Sequence, residues 1–345
     1  MLALRQRAPE LRLEVFSRVP EWFFADTLRT PFGYHDCLTD IGMVQRTPLE
    51  EDLEETQRRL ADFLPFSEKE LDALADELKA LGCQAVVCDI SPLGIAAAQR
   101  AELPSILLEN FTWDWIYAGY LKEASALAAA IETLAGVFAQ ATVHIQTEPV
   151  CDPRPDADLL APPLSRPPRV PRAELRKQIG VADDRPVALV TLGGSESYLE
   201  LGGALQEAGD LFFIVSGGSR QVERLPNQLL LPHHSGYYYP DLVHASDVVV
   251  GKPGYSTVAE AYHAGIPFMH LPRARFREYP VLADYIEREV GGQEIHHEDF
   301  LRGRWIMAAR GLLRRHPRTP RPDVGSSQVV DLIFYTAKAP STLRS

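Results

Sequence analysis

Asp241-Leu-Val-His-Ala-Ser-Asp247 runs into the apolar triplet Val248-Val249-Val250, and then into Gly251-Lys252-Pro253-Gly254-Tyr255-Ser256-Thr257. The triplet reads as a buried strand from its β-branched side chains and its shortness. Glycine and proline break it. From Val258 to Ala264 the apolar residues Val258, Ala259, Ala261 and Tyr262 fall at helical spacing, and Ser256 or Thr257 supplies a capping hydroxyl. Free N–H groups at a helix start, beside glycine and two hydroxyls, suit an anion such as a diphosphate. Glu260 follows about one turn into the helix, where a carboxylate accepts hydrogen bonds from two ribose hydroxyls. Gly265-Ile266-Pro267 ends the helix and Phe268-Met269-His270-Leu271 resumes as a strand. By spacing alone the stretch also fits an ordinary strand–loop–helix–strand unit of an α/β protein.

The pattern Ser246-Asp247-x-x-x-Gly251-Lys252-x-Gly254-Tyr255-x-Thr257-x-x-Glu260-Ala261, followed by Gly265-x-Pro267 and a strand, resembles the donor-nucleotide half of GT-B glycosyltransferases. That group includes the bacterial enzyme that adds N-acetylglucosamine to the lipid-linked peptidoglycan precursor. The chain looks closer still to the glycosyltransferase-like N-terminal region of plant L-arabinokinases and its stand-alone bacterial relatives. Val87-Cys88-Asp89-Ile90-Ser91-Pro92, Asn110-Phe111-Thr112-Trp113-Asp114-Trp115-Ile116-Tyr117 and Arg277-Glu278-Tyr279-Pro280 carry the same likeness, which spans Met1 to about Asp331. It implies a GT-B fold: two Rossmann-like α/β domains facing across a cleft, with a nucleotide sugar, such as a UDP-sugar, on the second. It also implies that the Gly193-Gly194-Ser195 loop lies against the donor diphosphate, and that the loop bearing His234 contacts the base through backbone groups. Glu278 would then hold the transferred sugar, with Arg277 meeting a phosphate.

A chain of 345 residues accommodates two domains with their own cores, and 46% hydrophobic with 24% charged residues is a normal globular composition. No apolar run nears the roughly 20 residues of a membrane-spanning helix. Met1-Leu2-Ala3-Leu4 leads straight into Arg5-Gln6-Arg7, with no leader pattern. Cys37, Cys83, Cys88 and Cys151 lack metal-ligand spacing and suit a reducing cytoplasm. The net charge of −12 argues against general nucleic-acid affinity.

Read in order, Met1 to Leu11 is expected to be the end of a helix and Arg12–Ser17 the strand after it. Relatives start one strand earlier, with a glycine- and histidine-rich loop. The resemblance therefore implies that the first strand and loop of the N-terminal domain are missing, through a misassigned start or a truncated, degenerate member. Thr30–Gly42 reads as a loop holding His35, Asp36 and Asp40. His35 is a candidate general base near neutral pH or a surface histidine. Leu49–Leu64 reads as an acidic helix, Glu68–Leu81 as an amphipathic one and Leu121–Ala141 as an alanine-rich one. Asp89 ends a strand, the edge at which open α/β sheets bind ligands. It either orients an acceptor hydroxyl as a base or caps the helix after it. Trp113 and Trp115 around Asp114 suit a sugar, rings stacking on C–H faces, or else pack the core. Asp89, Asp114 and His35 are thus the catalytic candidates, and Trp113 and Trp115 the acceptor-side ones.

Eight prolines between Pro149 and Pro171 mark a semi-rigid linker without regular structure. The expected division is an acceptor-side domain over residues 1–148, the linker 149–171, a donor domain over 172–323, and a C-terminal helix and tail, 324–345, crossing back. Asp156-Ala157-Asp158 has a metal-binding spacing but falls in the linker, and His233-His234 has no third ligand, so no metal site is expected. Seven arginines between Arg302 and Arg321 form either a weak peripheral membrane contact or helix faces of an acidic protein. The expected function is metal-independent hexosyl transfer from a nucleoside-diphosphate sugar, without cofactor, to an unidentified acceptor. The alternatives are a catalytically degenerate nucleotide-sugar sensor and, more remotely, an epimerase.

Overall fold

The computed structural model describes residues 1–47, 49–192, 202–316 and 318–338. It divides into two units, one of residues 1–44, 52–163 and 324 onward, the other of residues 45–51 and 164–323.

In the first unit β1 (Glu14–Ser17) and β2 (Gly33–Asp36) form a parallel pair. The next two strands, β3 (Gln45–Thr47) and β4 (Glu50–Glu51), are an antiparallel pair that belongs to the second unit. The first unit continues with β5 (Val86–Asp89), β6 (Ser105–Glu109), β7 (Val143–Thr147) and β8 (Leu159–Ala161), a four-stranded sheet in sequence order, parallel throughout. Helices Glu68–Ala80 and Pro92–Arg100 contribute Leu71, Ala75, Leu78, Leu93 and Ala97 to one apolar cluster, and both Phe16 of β1 and Val86 of β5 pack on it. The two sheets thus share a helical layer, yet among the described residues β1 pairs only with β2 and β5 only with β6. Val87 on the outer edge of β5 is 40% exposed.

Several local readings change. Thr30–Gly42 is not all loop, because Gly33–Asp36 pairs with β1. The acidic helix starts at Leu53, not Leu49: Asp52 accepts the Glu55 N–H at 3.1 Å, and that cap leaves Glu50 and Glu51 in β4. The alanine-rich helix is shorter, Leu127–Phe138. The proline-rich stretch contains regular structure after all. Its proline-free segment Leu159–Ala161 adds to the sheet as β8, and the chain passes to the second unit after Pro163. Residues beyond that point are tied down: Asp241 Oδ1 accepts the backbone N–H of Arg169 at 2.5 Å and of Val170 at 3.1 Å. The helix Gly325–Lys338 belongs to the first unit, where it packs on β7 and β8.

The second unit holds one seven-stranded sheet in the order β11-β12-β10-β9-β13-β14-β15. These are β9 (Val187–Thr191), β10 (Phe212–Ser216), β11 (Glu223–Leu225), β12 (Gln228–Leu231), β13 (Val248–Gly251), β14 (Phe268–His270) and β15 (Gln293–Glu294). Only β11 runs antiparallel to its neighbour. Helices cover both faces, which is why β9 and β13 are continuous apolar runs with every residue buried. Leu175, Leu242, Val258 and Ala261 line one face of the core, and Leu205, Phe213, Trp305 and Leu312 the other. Taken in chain order without the hairpin strand β11, the strands run 3-2-1-4-5-6, the doubly wound order whose direction of winding reverses between β9 and β13.

That reversal requires a glycine. A Cβ on Gly251 would lie 1.6 Å from the Thr191 carbonyl oxygen, so no side chain fits between the two strand ends. Gly251→Ala should cost about 3 kcal/mol of stability through this overpacking, measured by urea denaturation. An unchanged midpoint would show that the strand ends are not held this close.

Candidate functional site

At the switch point the chain leaves β13 through Lys252 and Pro253 and enters the helix Tyr255–Ala264. Gly254 is the N-cap, in extended conformation, and no side chain caps the helix. Ser256 and Thr257 therefore do not serve as the cap. The helix begins earlier than their position suggests, placing both hydroxyls inside its first turn. The loop after β9, Gly193-Gly194-Ser195, lies outside the described residues.

Glu260 is 4% exposed, on the inner face of the same helix. Its Oε1 takes the Arg166 guanidinium, at 2.8 Å from Nη2 and 3.0 Å from Nε. Its Oε2 is buried with no hydrogen-bond partner among the described residues. Burial pushes its pKa up to about 7, against the pull of Arg166. Tyr239 stands alongside, its hydroxyl 3.5 Å from Thr257 Oγ1, and burial together with the Glu260 charge pushes it to about 12. A cavity of about 230 Å³ opens in front of Glu260, lined by Arg166, Pro240, His244, His263 and Arg321 among others.

A second group of charges stands at the end of β13. Arg273 is 5% exposed and reaches Glu278 Oε1 through Nη1 at 3.3 Å. The other carboxylate oxygen, Oε2, is buried and has no hydrogen-bond partner among the described residues, and burial raises the Glu278 pKa. Burial and then the Arg273 charge push Lys252 down to about 8, with Glu278 opposing. His234, in the loop after β12, is exposed.

The candidates of the first unit fare unevenly. His35 lies in β2, stacked on Phe16, with Nε2 3.0 Å from Glu14 and Nδ1 2.8 Å from Glu77. Both ring nitrogens are engaged by carboxylates. Asp89 is not the cap of the next helix, because Ser91 accepts the Gly94 N–H instead. Trp113 opens the helix Trp113–Ala118 and donates from Nε1 to Asp40 Oδ2 at 2.8 Å, while its ring stacks on Tyr117. Trp113 and Trp115 are both half-buried against the core cluster around Leu107 and Leu127. Asp114 Oδ1 is buried with no hydrogen-bond partner among the described residues. Asp40 lies close enough to Asp89 that the Asp89 charge, added to burial, raises its pKa, while Asp89 itself is exposed at the end of β5.

The arginine-rich segment is engaged internally. Arg302 pairs with Glu298, Arg304 with Asp299 and Arg310 with Asp210, and Arg318 donates to the carbonyls of His244 and Ala264. No helix among the described residues is long and apolar enough to cross a membrane. Among those residues no cluster of His, Cys, Asp and Glu is arranged to hold a metal ion.

Residues 55–304 match glycosyl transferase family 1. The chain belongs to that family. L-arabinokinase of Arabidopsis thaliana is 30% identical over 297 residues, 85% of this chain but 28% of the plant protein's own length. An uncharacterized glycosyltransferase of Methanopyrus kandleri is 24% identical over 223 residues, 61% of this chain and 63% of its own length. Among solved structures, UGT89C1 of Arabidopsis thaliana, complexed with UDP, superposes with a TM-score of 0.60 at 13% identity, over 98% of this chain and 94% of that one. MurG of Acinetobacter baumannii superposes with a TM-score of 0.52 at 15% identity, over 97% and 94%. At these identities the likeness establishes the GT-B fold.

For this member of glycosyl transferase family 1, sequence reading missed Arg166, Tyr239 and the placement of Asp40 beside Asp89. Arg166 lies 94 positions from Glu260 in a stretch read as linker, and nothing local announces the pair. Lys252 was in the quoted motif without a role.

The Glu260 pKa makes a stability prediction. Folded Glu260 titrates near 7 against an ordinary 4.5, so between those values the folded chain holds a proton that the unfolded chain has lost, and stability falls as pH rises. Glu260→Gln removes that dependence. The variant should gain on the wild type by about 3 kcal/mol across this window and no further above it, read from urea titrations at successive pH values. A constant difference would mean Glu260 is not buried as described.

Proposed function

We propose that the chain transfers a sugar from a nucleoside-diphosphate sugar to an acceptor hydroxyl, binding the donor in its second unit at the β9/β13 switch point. The observation that carries this reading is a helix N-terminus without a side-chain cap together with two carboxylates, Glu260 and Glu278, each with a buried oxygen that has no hydrogen-bond partner among the described residues. Each fits a different part of the donor. The N–H groups of Tyr255, Ser256 and Thr257 take the diphosphate. Glu260 Oε2 accepts a ribose hydroxyl while Arg166 holds the other oxygen, and Glu278 Oε2 accepts a hydroxyl of the sugar. Family membership and the UDP and DTDP complexes of structurally similar proteins support a nucleotide donor of this kind.

In the reaction the bond between the sugar's C1 and the β-phosphate oxygen breaks, a bond from C1 to the acceptor oxygen forms, and the nucleoside diphosphate leaves. The acceptor hydroxyl loses its proton to a base on the first unit. Asp89, at the C-terminal end of β5 with Asp40 beside it, suits that task better than His35, whose ring nitrogens are both engaged. Asp114, whose Oδ1 has no hydrogen-bond partner among the described residues, is assigned to acceptor hydroxyls. No metal is required, because charge on the leaving group is met by the protein itself.

A thermal-melt panel with UDP, dTDP, ADP and GDP tests the donor site. One of them should raise the melting temperature progressively with concentration. In Glu260→Ala that shift should shrink to what a tenfold or greater loss of affinity, about 1.4 kcal/mol, allows. An equal shift in wild type and variant would place the nucleotide elsewhere, and no shift with any of the four would remove the donor reading. EDTA should leave the shift unchanged.

A further inference from the structure

We infer that Tyr279 is a positioning residue for the donor sugar: its hydroxyl, held between His270 and Glu294, closes the loop that ends at Glu278 and aims that carboxylate. The inference rests on the reading above that Glu278 accepts a hydroxyl of the transferred sugar, and adds what fixes its direction.

β14 ends at His270, and the chain runs through Leu271 to Glu278 before the helix Tyr279–Tyr285 begins. The two sides of that loop are joined by side chains. His270 Nδ1 lies 3.1 Å from the Tyr279 hydroxyl oxygen, nine positions on in the chain. The same hydroxyl donates to Glu294 Oε2 at 2.5 Å. Its single proton is thereby committed, so its oxygen accepts from His270, which carries its proton on Nδ1. Burial holds the imidazole uncharged, its pKa pushed down to about 4, and raises that of the phenol. The bare Nε2 lies 3.9 Å from Glu287 Oε1 and has no hydrogen-bond partner among the described residues. His270 and Glu294 are register partners on the parallel strands β14 and β15, so their side chains stand on one face of the sheet. One hydroxyl ties the start of the helix to two adjacent strands.

Glu278 shares in that restraint through the backbone. It is the N-cap of the helix but has helical dihedrals, φ −74° and ψ −18°. Successive side chains on a helix diverge by about 100°, so fixing Tyr279 fixes the direction in which Glu278 leaves the chain. Within the loop the Phe276 N–H donates to the Arg273 carbonyl at 2.9 Å, and the Tyr279 N–H to the Phe276 carbonyl at 3.0 Å. A phenylalanine at position 279 would fill the same space without desolvating a hydroxyl. What the two hydrogen bonds add is orientation. An acceptor oxygen discriminates between hydroxyl positions on a sugar ring only when its own direction is fixed.

The consequence is confined to the sugar. The diphosphate and the ribose meet the helix Tyr255–Ala264, a different element from the one that Tyr279 anchors. Releasing Tyr279 should therefore weaken a nucleotide sugar and leave the bare diphosphate as it was.

Calorimetric titration of the full chain tests the assignment, using whichever of UDP, dTDP, ADP and GDP binds, together with its glucose, galactose and N-acetylglucosamine esters. Tyr279→Phe and Glu294→Ala should each weaken the tightest-binding ester about tenfold and leave the bare diphosphate within about twofold of wild type. Glu294→Gln keeps an acceptor for the Tyr279 hydroxyl and should bind that ester as wild type does. The two Glu294 variants decide the matter if Tyr279→Phe fails to fold. If Glu278→Ala weakens the ester while Tyr279→Phe and Glu294→Ala do not, Glu278 keeps its role and the positioning role of Tyr279 is overturned. A loss of the diphosphate as large as that of the ester in Tyr279→Phe would overturn it too, as general damage to the unit. If Glu278→Ala binds every ester as wild type does, or wild type binds none of these nucleotides, the sugar reading of Glu278 falls and the inference falls with it.

Discussion

The contact between the end of β9 and the end of β13 governs the second unit. Gly251 meets the Thr191 carbonyl where no Cβ fits, and the Lys252 N–H donates to that same oxygen. With the strand ends locked, the chain has two residues, Lys252 and Pro253, before Gly254 starts a helix. The helices after β9 and β13 pack on opposite faces of the sheet, Leu205 on one and Val258 on the other, the arrangement that leaves a crevice in open α/β sheets. The junction places the helix N-terminus directly and Glu260 through the helix.

The far ends of the helices beside that crevice are fixed by arginines. Arg172 donates to the carbonyls of Ala245 and Ser246, and Arg318 to those of His244 and Ala264, which are the last turns of the helices Tyr239–Ala245 and Tyr255–Ala264. Cations there complement the negative ends of the helix dipoles, while the positive end of Tyr255–Ala264 carries no side-chain cap. Asp247 binds Arg172 at 2.5 Å and the fully buried Arg176 at 2.6 Å, so one carboxylate ties both arginines to the segment that leads into β13.

Much of the second unit was legible in the sequence because its signals are local. Continuous apolar runs, glycine at the strand ends and an acid one turn into a helix are each set by a few neighbouring residues. The cap was misread because Ser256 and Thr257 are the better capping residues by type, yet the strand junction starts the helix at Gly254. The first unit was less legible. Asp40 meets Trp113 across 73 positions and lies beside Asp89 across 49, and neither approach leaves a periodic trace. The tryptophans illustrate the same limit from the other side: an aromatic pair flanking a carboxylate looks like a sugar platform, but the Trp113 indole N–H is already committed to Asp40 and its face to Tyr117.

Arg166 shows how a residue outside the core motif enters the site's energetics. It lies three positions before Arg169, whose N–H is held by Asp241, so the segment that presents the guanidinium is anchored to the same helix that carries Tyr239. Pairing with Glu260 offsets part of the desolvation of a carboxylate that is almost wholly buried, but not all of it, since burial still dominates and Oε2 has no hydrogen-bond partner among the described residues. Removing Arg166 would strand the carboxylate and favour its protonated form, which donates a hydrogen bond where a ribose hydroxyl needs an acceptor. Keeping it leaves one oxygen oriented and one available. The ion pair is thus weak as a stabilising element, as buried pairs generally are, and well suited to presenting a single acceptor oxygen in a fixed direction.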